Sequence, residues 1–192
     1  MSLHYSVNLA AERAEWQIVR ASSNRDIVPM VSKRLSREAG HRRKFLAIID
    51  ETPECERAVA YASRRTKTTG GVLVLLFVIE PGDFQQFLGV EKIMREEATA
   101  TAKTALDRYA RDARERLGIE PELVVREGKP AEEIHKLIEE DQDIAILVLA
   151  AGMGKEGPGP LVTSVAGKGT GFPIPVTVVP QELTDEDIEN LA

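Results

Sequence analysis

Apolar residues fall along this chain in short unbroken blocks, separated by longer stretches in which they recur every three or four positions. The firm blocks are Phe45 to Ile49, Val72 to Ile79 and Ile144 to Leu149, and weaker ones run from Glu122 to Arg126 and from Val176 to Val179. Blocks of four to eight residues with little polar alternation predict strands buried on both faces. In the Glu122 to Arg126 block, Leu123 and Val125 share one face. The intervening stretches predict helices. The first begins at Thr52-Pro53, with Thr52 as N-cap and Pro53 at the first helical position, carries Cys55, Ala58, Val59 and Ala62 inward, and stops at Gly70-Gly71. A long helix over about Val90 to Leu117 is ended by Gly118. A third follows Gly128-Lys129-Pro130 with Ile134, Leu137 and Ile138 on one side, and a segment of one or two turns covers Leu161 to Ala166. Strands that alternate with helices pair most economically in parallel, through right-handed crossovers, giving an α/β sheet covered on both faces.

Outside these elements the pattern weakens. Residues 5 to 21 place Leu9, Ala10, Trp16, Ile18 and Val19 on a mediocre helical stripe that breaks at Ser22-Ser23-Asn24. The tail from Leu183 to Leu191 reads as a short capped helix whose Leu183, Ile188 and Leu191 are available for docking. These shifts divide the chain into a basic N-terminal extension (1–41), one domain (42–180) and an acidic tail (181–192).

Composition narrows the class. The 192 residues are 43% hydrophobic, 29% charged and only 5% aromatic, as expected of a globular chain with an aliphatic core. The net charge of -6 argues against nucleic acid as the principal partner. Charge is unevenly spread, because residues 1–44 hold nine Lys and Arg against four Asp and Glu. An RNA-associated role through that basic arm is therefore kept as an alternative. Cys55 is the single cysteine, so it can form no intrachain disulfide. No apolar run approaches the ~20 residues of a membrane span, and a cytoplasmic protein is expected. His41-Arg42-Arg43-Lys44-Phe45-Leu46 imitates a twin-arginine signal, but Asp50 and Glu51 follow immediately and no small-residue cleavage site appears, so it reads as the run into a strand.

Candidate chemistry gathers where such sheets bind ligands, beyond the carboxyl ends of the strands. Asp50-Glu51-Thr52 leaves the first strand, Val78-Ile79-Glu80 the second, and the glycine-rich stretch Gly152 to Pro160 the fourth. Glycines there let backbone N–H groups approach an anion, and Lys155 and Lys168 add positive charge. Asp50 has two readings, a ribose- or metal-orienting carboxylate or a strand-end cap of the next turn. Gly167-Lys168-Gly169-Thr170 fails as a phosphate-binding Walker loop because Val162 stands where its first glycine belongs. His4, His41 and His135 are scattered, and no nucleophile with a base or set of metal ligands can be drawn. No catalytic or metal residue is assigned.

Lys44-Phe45-Leu46-Ala47-Ile48-Ile49-Asp50, the Gly71 to Val78 strand, Leu147-Val148-Leu149-Ala150-Ala151-Gly152-Met153-Gly154 ahead of Ser164-Val165-Ala166, and Ile174-Pro175-Val176-Thr177-Val178-Val179 together resemble the universal stress protein family. The resemblance implies an open, Rossmann-like five-stranded parallel sheet of order 3-2-1-4-5, and a homodimer formed through the last strand, Val176 to Val179. It also implies ATP or another adenine nucleotide as ligand, with Asp50, Thr52, Val78, Gly152, Gly154, Ser164 and Val165 around it. The family's phosphate loop has the form G-x2-G-x9-G-[ST]. Gly154 and Ser164 match its second glycine and its hydroxyl, but Ala151 replaces the first glycine, Thr163 the third, and the interval is one residue short. A second register, Gly154, Gly157 and Gly167, keeps the glycines and loses the hydroxyl to Lys168. Two functions remain open on this basis: a non-enzymatic dimeric stress-response module acting on an unnamed protein partner, and an ATP-responsive switch with slow hydrolysis.

Overall fold

Five of the six residues of β1 (Lys44–Ile49) are buried, because β1 lies at the centre of the sheet. It pairs in parallel with β2 (Val72–Ile79) on one side and β4 (Ile144–Ala151) on the other. The edges are β3 (Glu122–Glu127), alongside β2, and β5 (Val176–Pro180), alongside β4. The order is thus β3-β2-β1-β4-β5 with every pair parallel, as the element pattern and the resemblance led us to expect. The structure is a computed structural model and describes residues 32–50, 52–80, 91–154, 157–166 and 171–192. The expected helix over 5–21 and the residues Glu51, Val90, Lys155 and Lys168 lie outside the described residues, as do the side chains of Val165 and Ala166.

Alternation along the strands divides the core in two. On one face Ala47, Ile49, Leu73 and Leu75 meet α1 (Cys55–Thr69) and α2 (Glu91–Leu117) through Ala58, Ala62, Leu106 and Tyr109. On the other, Leu46, Ile48, Val74 and Leu76 meet α3 (Pro130–Glu140) through Ile134, Leu137 and Ile138, with Leu161 of α4 (Pro160–Ala166) beyond. Each fully buried Leu, Ile or Phe contributes about 1.5–3 kcal/mol, so the sheet is held mainly by these two aliphatic layers.

Several boundaries differ from expectation. β4 runs two residues further, through Ala151, because Ala150 and Ala151 pair with Val179 and Pro180 and the Ala151 carbonyl accepts from Gln181 N at 3.1 Å. α1 starts at Cys55 rather than at Thr52-Pro53. In the tail, α5 (Asp185–Leu191) is capped by Thr184 and Asp187 in a reciprocal capping box, buries Ile188, and ties to α1 through Arg57–Asp185 at 2.7 Å. Leu191 does not dock; it is 59% exposed at the outer end of the helix. The last part of the basic extension is anchored, since Leu35 N donates to Gln142 O and the Arg34 guanidinium donates to the carbonyls of Ile138, Asp141 and Ile144. Those carbonyls close α3 and open β4, so Arg34 serves as a C-terminal cap supplied from outside the helix.

The turn from α1 to β2 requires two glycines for different reasons. Gly70 holds φ 66° and ends the helix in the left-handed conformation. At Gly71 a Cβ would lie 2.6 Å from the Arg43 carbonyl oxygen and 3.0 Å from the Phe45 ring, and that carbonyl is fixed by accepting from Val72 N. Gly71→Ala is expected to cost about 2 kcal/mol by overpacking and to lower the melting temperature by roughly 4–8 °C in scanning calorimetry. An unchanged melting temperature would mean that β1 and β2 can separate at this point without penalty.

Candidate functional site

The carboxyl end of β1 delivers Asp50 to the rim of the sheet, next to the ends of β2 and β4. Asp50 Oδ1 accepts from the backbone N–H of Thr52 at 3.0 Å and from Thr52 Oγ1 at 2.6 Å. This is an Asx turn, and it explains the displaced start of α1. The Thr52 hydroxyl is directed back to Asp50 instead of forward to the first helical N–H groups. A tight turn, Cys55 N to Thr52 O at 3.3 Å, then precedes the helix, whose N-cap residue is Glu54 with no side-chain cap. No described residue engages Asp50 Oδ2, so the capping role of this carboxylate leaves one oxygen available.

A cavity of about 490 Å³ opens above this rim. Ile48, Ile49 and Leu149 form its apolar floor and Val78 one wall. Asp50, Thr52, Glu54 and Glu80 bring polar groups to it, and Pro158 to Val162 together with Ser164 close the β4 side. Lys129, Pro130 and Ala131 enter from the start of α3. Four residues singled out from the sequence, Asp50, Thr52, Val78 and Ser164, therefore share one cavity. Gly152 and Gly154 are not among its lining residues. Gly152 lies against the Glu54 side chain, and the Gly154 carbonyl accepts from Gly157 N at 3.1 Å. The glycine that reaches the cavity is Gly159, at φ 95°. Ser164 Oγ donates to the Leu161 carbonyl at 2.7 Å, and Thr163 Oγ1 to the Gly159 carbonyl at 2.8 Å.

The α3 contribution was not foreseen. Gly128-Lys129-Pro130 is readable as a turn, but its place at the rim depends on α3 crossing back over Leu46, Ile48 and Val74 on its way to β4. Glu54 was likewise missed, because a helix starting at Thr52 would bury that position's identity in a first turn. Asp50 and Thr52 also border a more open depression of about 770 Å³ alongside Thr101, Thr104 and Arg108 of α2. Among the described residues no group of His, Cys, Asp and Glu is arranged to hold a metal ion, and no helix is long and apolar enough to cross a membrane.

Comparison with known proteins places these observations in context. The sequence profile describing the universal stress protein family matches residues 41–180. The solved structure of the universal stress protein UspA from Lactobacillus plantarum is similar at 17% identity and a TM-score of 0.60, covering 71% of this chain and 97% of its own. A universal stress protein from Archaeoglobus fulgidus, solved in complex with dAMP, is similar at 21% identity and a TM-score of 0.51, covering 71% and 97%. A family protein from Arabidopsis thaliana with AMP bound is similar at 18% identity and a TM-score of 0.51, covering 75% and 94%. Among proteins with curated descriptions none matches the chain.

Beneath the rim, Cys55 is fully buried, with Sγ 3.7 Å from the Ile48 carbonyl. Burial disfavours the thiolate and pushes the thiol up to about 11. The same burial raises neighbouring Tyr109. The thiol is thus a core group, and at pH 8 it is expected to be inert to Ellman's reagent in the folded protein and to react once per chain in denaturant. Rapid stoichiometric labelling of the native protein would contradict this.

Proposed function

Because this chain belongs to the universal stress protein family, we propose that it acts as a stress-response module without catalytic chemistry of its own, which binds an adenine nucleotide in the rim cavity and pairs with a second copy through β5. The nucleotide reading rests on the convergence of Asp50, Thr52, Val78 and Ser164 on one cavity. Its volume of about 490 Å³ suits a small organic ligand, for which pockets run roughly 300–1,000 Å³. Ile48, Ile49 and Leu149 offer apolar area to a flat base, and the open oxygen of Asp50 suits a ribose hydroxyl or an exocyclic amine. Relatives solved with AMP and dAMP support the same ligand class. We take residues 42–180 as the unit that performs this binding.

The dimer reading starts from the β5 edge of the sheet, on which no described strand is paired. Pro175 O accepts from Leu147 N, and Gln181 N donates to Ala151 O. Odd-numbered residues of β5 thus face β4, and by alternation the backbone groups of Val176 and Val178 point outward. Val178 is also 39% exposed, which leaves an apolar strand edge that a second copy would cover.

Two measurements test these readings. In a thermal melt, about 1 mM AMP on a site of about 10 μM affinity stabilises by about 2.7 kcal/mol and raises the transition by several degrees. No shift with AMP, adenosine or ATP would remove the nucleotide reading. In sedimentation velocity the protein is expected to run as a dimer and Val178→Asp as a monomer with its fold retained, because the substitution lies on the outer edge. A monomeric unsubstituted protein would remove the dimer reading.

A further inference from the structure

Resting on the reading of the rim cavity as an adenine-nucleotide site, we infer that Glu54 sets the selectivity of that site by charge, admitting adenosine and its monophosphate and disfavouring the triphosphate. Glu54 is the last residue before α1, at φ -69° and ψ -22°, and its side chain caps nothing. It turns instead across the mouth of the loop that follows β4. A Cβ built on Gly152 would lie 2.8 Å from Glu54 Oε1, so Gly152 leaves the space that the carboxylate fills.

A second glutamate on the same rim shows what a neutralised version of this contact looks like. At Gly128 a Cβ would lie 2.9 Å from Glu133 Oε1, but Glu133 is held by Lys136 at 2.6 Å and lies 3.9 Å from Arg126. Glu54 has no such cation: among the described residues none lies within ion-pair distance of it. Asp50 and Glu80 line the cavity as well. The one described cation in its lining, Lys129, lies 3.3 Å from Glu132.

Two hydroxyl donors on the β4 side of the cavity are committed elsewhere. The hydroxyls of Thr163 and Ser164 both donate to carbonyls of their own segment, Gly159 and Leu161. A triphosphate tail reaching toward the β4 loop therefore meets, among the described residues, the Glu54 carboxylate without a paired cation and hydroxyls of Thr163 and Ser164 that already donate to the chain. A nucleoside carries no charge to repel, and a monophosphate keeps its charge close to the ribose. Selectivity of this kind comes from a repulsive element built against the wrong ligand.

The test is isothermal titration of the full chain with adenosine, AMP and ATP, in a buffer containing a metal chelator, for the unsubstituted protein and for Glu54→Gln. The amide keeps the shape against Gly152 and removes the charge. ATP is expected to bind at least about tenfold more weakly than AMP to the unsubstituted protein, and Glu54→Gln to tighten ATP by about tenfold while leaving adenosine unchanged. Binding of ATP as tightly as AMP overturns the inference and leaves the nucleotide reading standing. So does a preference for AMP that survives Glu54→Gln unaltered, since its source would then lie elsewhere. If none of the three compounds binds, the nucleotide reading falls and this inference falls with it. Melting curves of both proteins verify that the substitution leaves the fold intact.

Discussion

The two parallel ladders that flank β1, Lys44 to Ile49 against Val72 to Phe77 and Lys44 to Ala47 against Ile144 to Val148, place that strand inside the sheet. Its residues from Phe45 to Ile49 are buried on both faces, and the first polar residue, Asp50, falls where the ladder with β2 ends. The position of that carboxylate is thus a consequence of hydrogen bonding and burial, before any chemistry is considered. Because β2 and β4 lie to its left and right, helices leaving toward β3 must cover one face and helices leaving toward β5 the other. The depression between the two sets opens at the carboxyl ends, as the topology of open parallel sheets dictates.

That constraint explains which features could be read from the chain. Phe45 to Ile49 and Val72 to Ile79 announce themselves because double burial removes polar alternation altogether. β3 is plainer than its sequence suggests: Leu123 and Val125 do share a face, but that face is more than a third exposed at both positions, since β3 is an edge. The misplaced start of α1 has a local cause. Thr52 has every attribute of an N-cap, and only the geometry shows that its hydroxyl belongs to Asp50. Composition likewise marks the loop after β4 as glycine-rich without saying which glycine faces the cavity, because that depends on how the segment from Pro158 packs over the rim. Nothing local marks Lys129 or Glu54. Their nearness to Asp50 is a matter of how α3 and α1 cross the sheet.

Glycine has two separate uses on this rim. At Gly159 the chain turns through a conformation that side chains resist, which is a backbone requirement. At Gly152 the neighbour matters, since an acid occupies the missing side chain's place. The letters of the loop alone do not distinguish the two uses, because the second depends on a residue that precedes α1, almost a hundred positions earlier.

The opposite rim is built by another logic. There Arg34 gathers the carbonyls of Ile138, Asp141 and Ile144, while Lys44 bridges Glu122 at 2.7 Å and Asp141 at 2.9 Å. Positive side chains thus bind the amino ends of the strands into a closed base. A fluorophore carried at position 33, where the lysine side chain is exposed, would accordingly sit at the floor of the molecule, the height of the sheet from the mouth where small molecules arrive, and leave that mouth unobstructed.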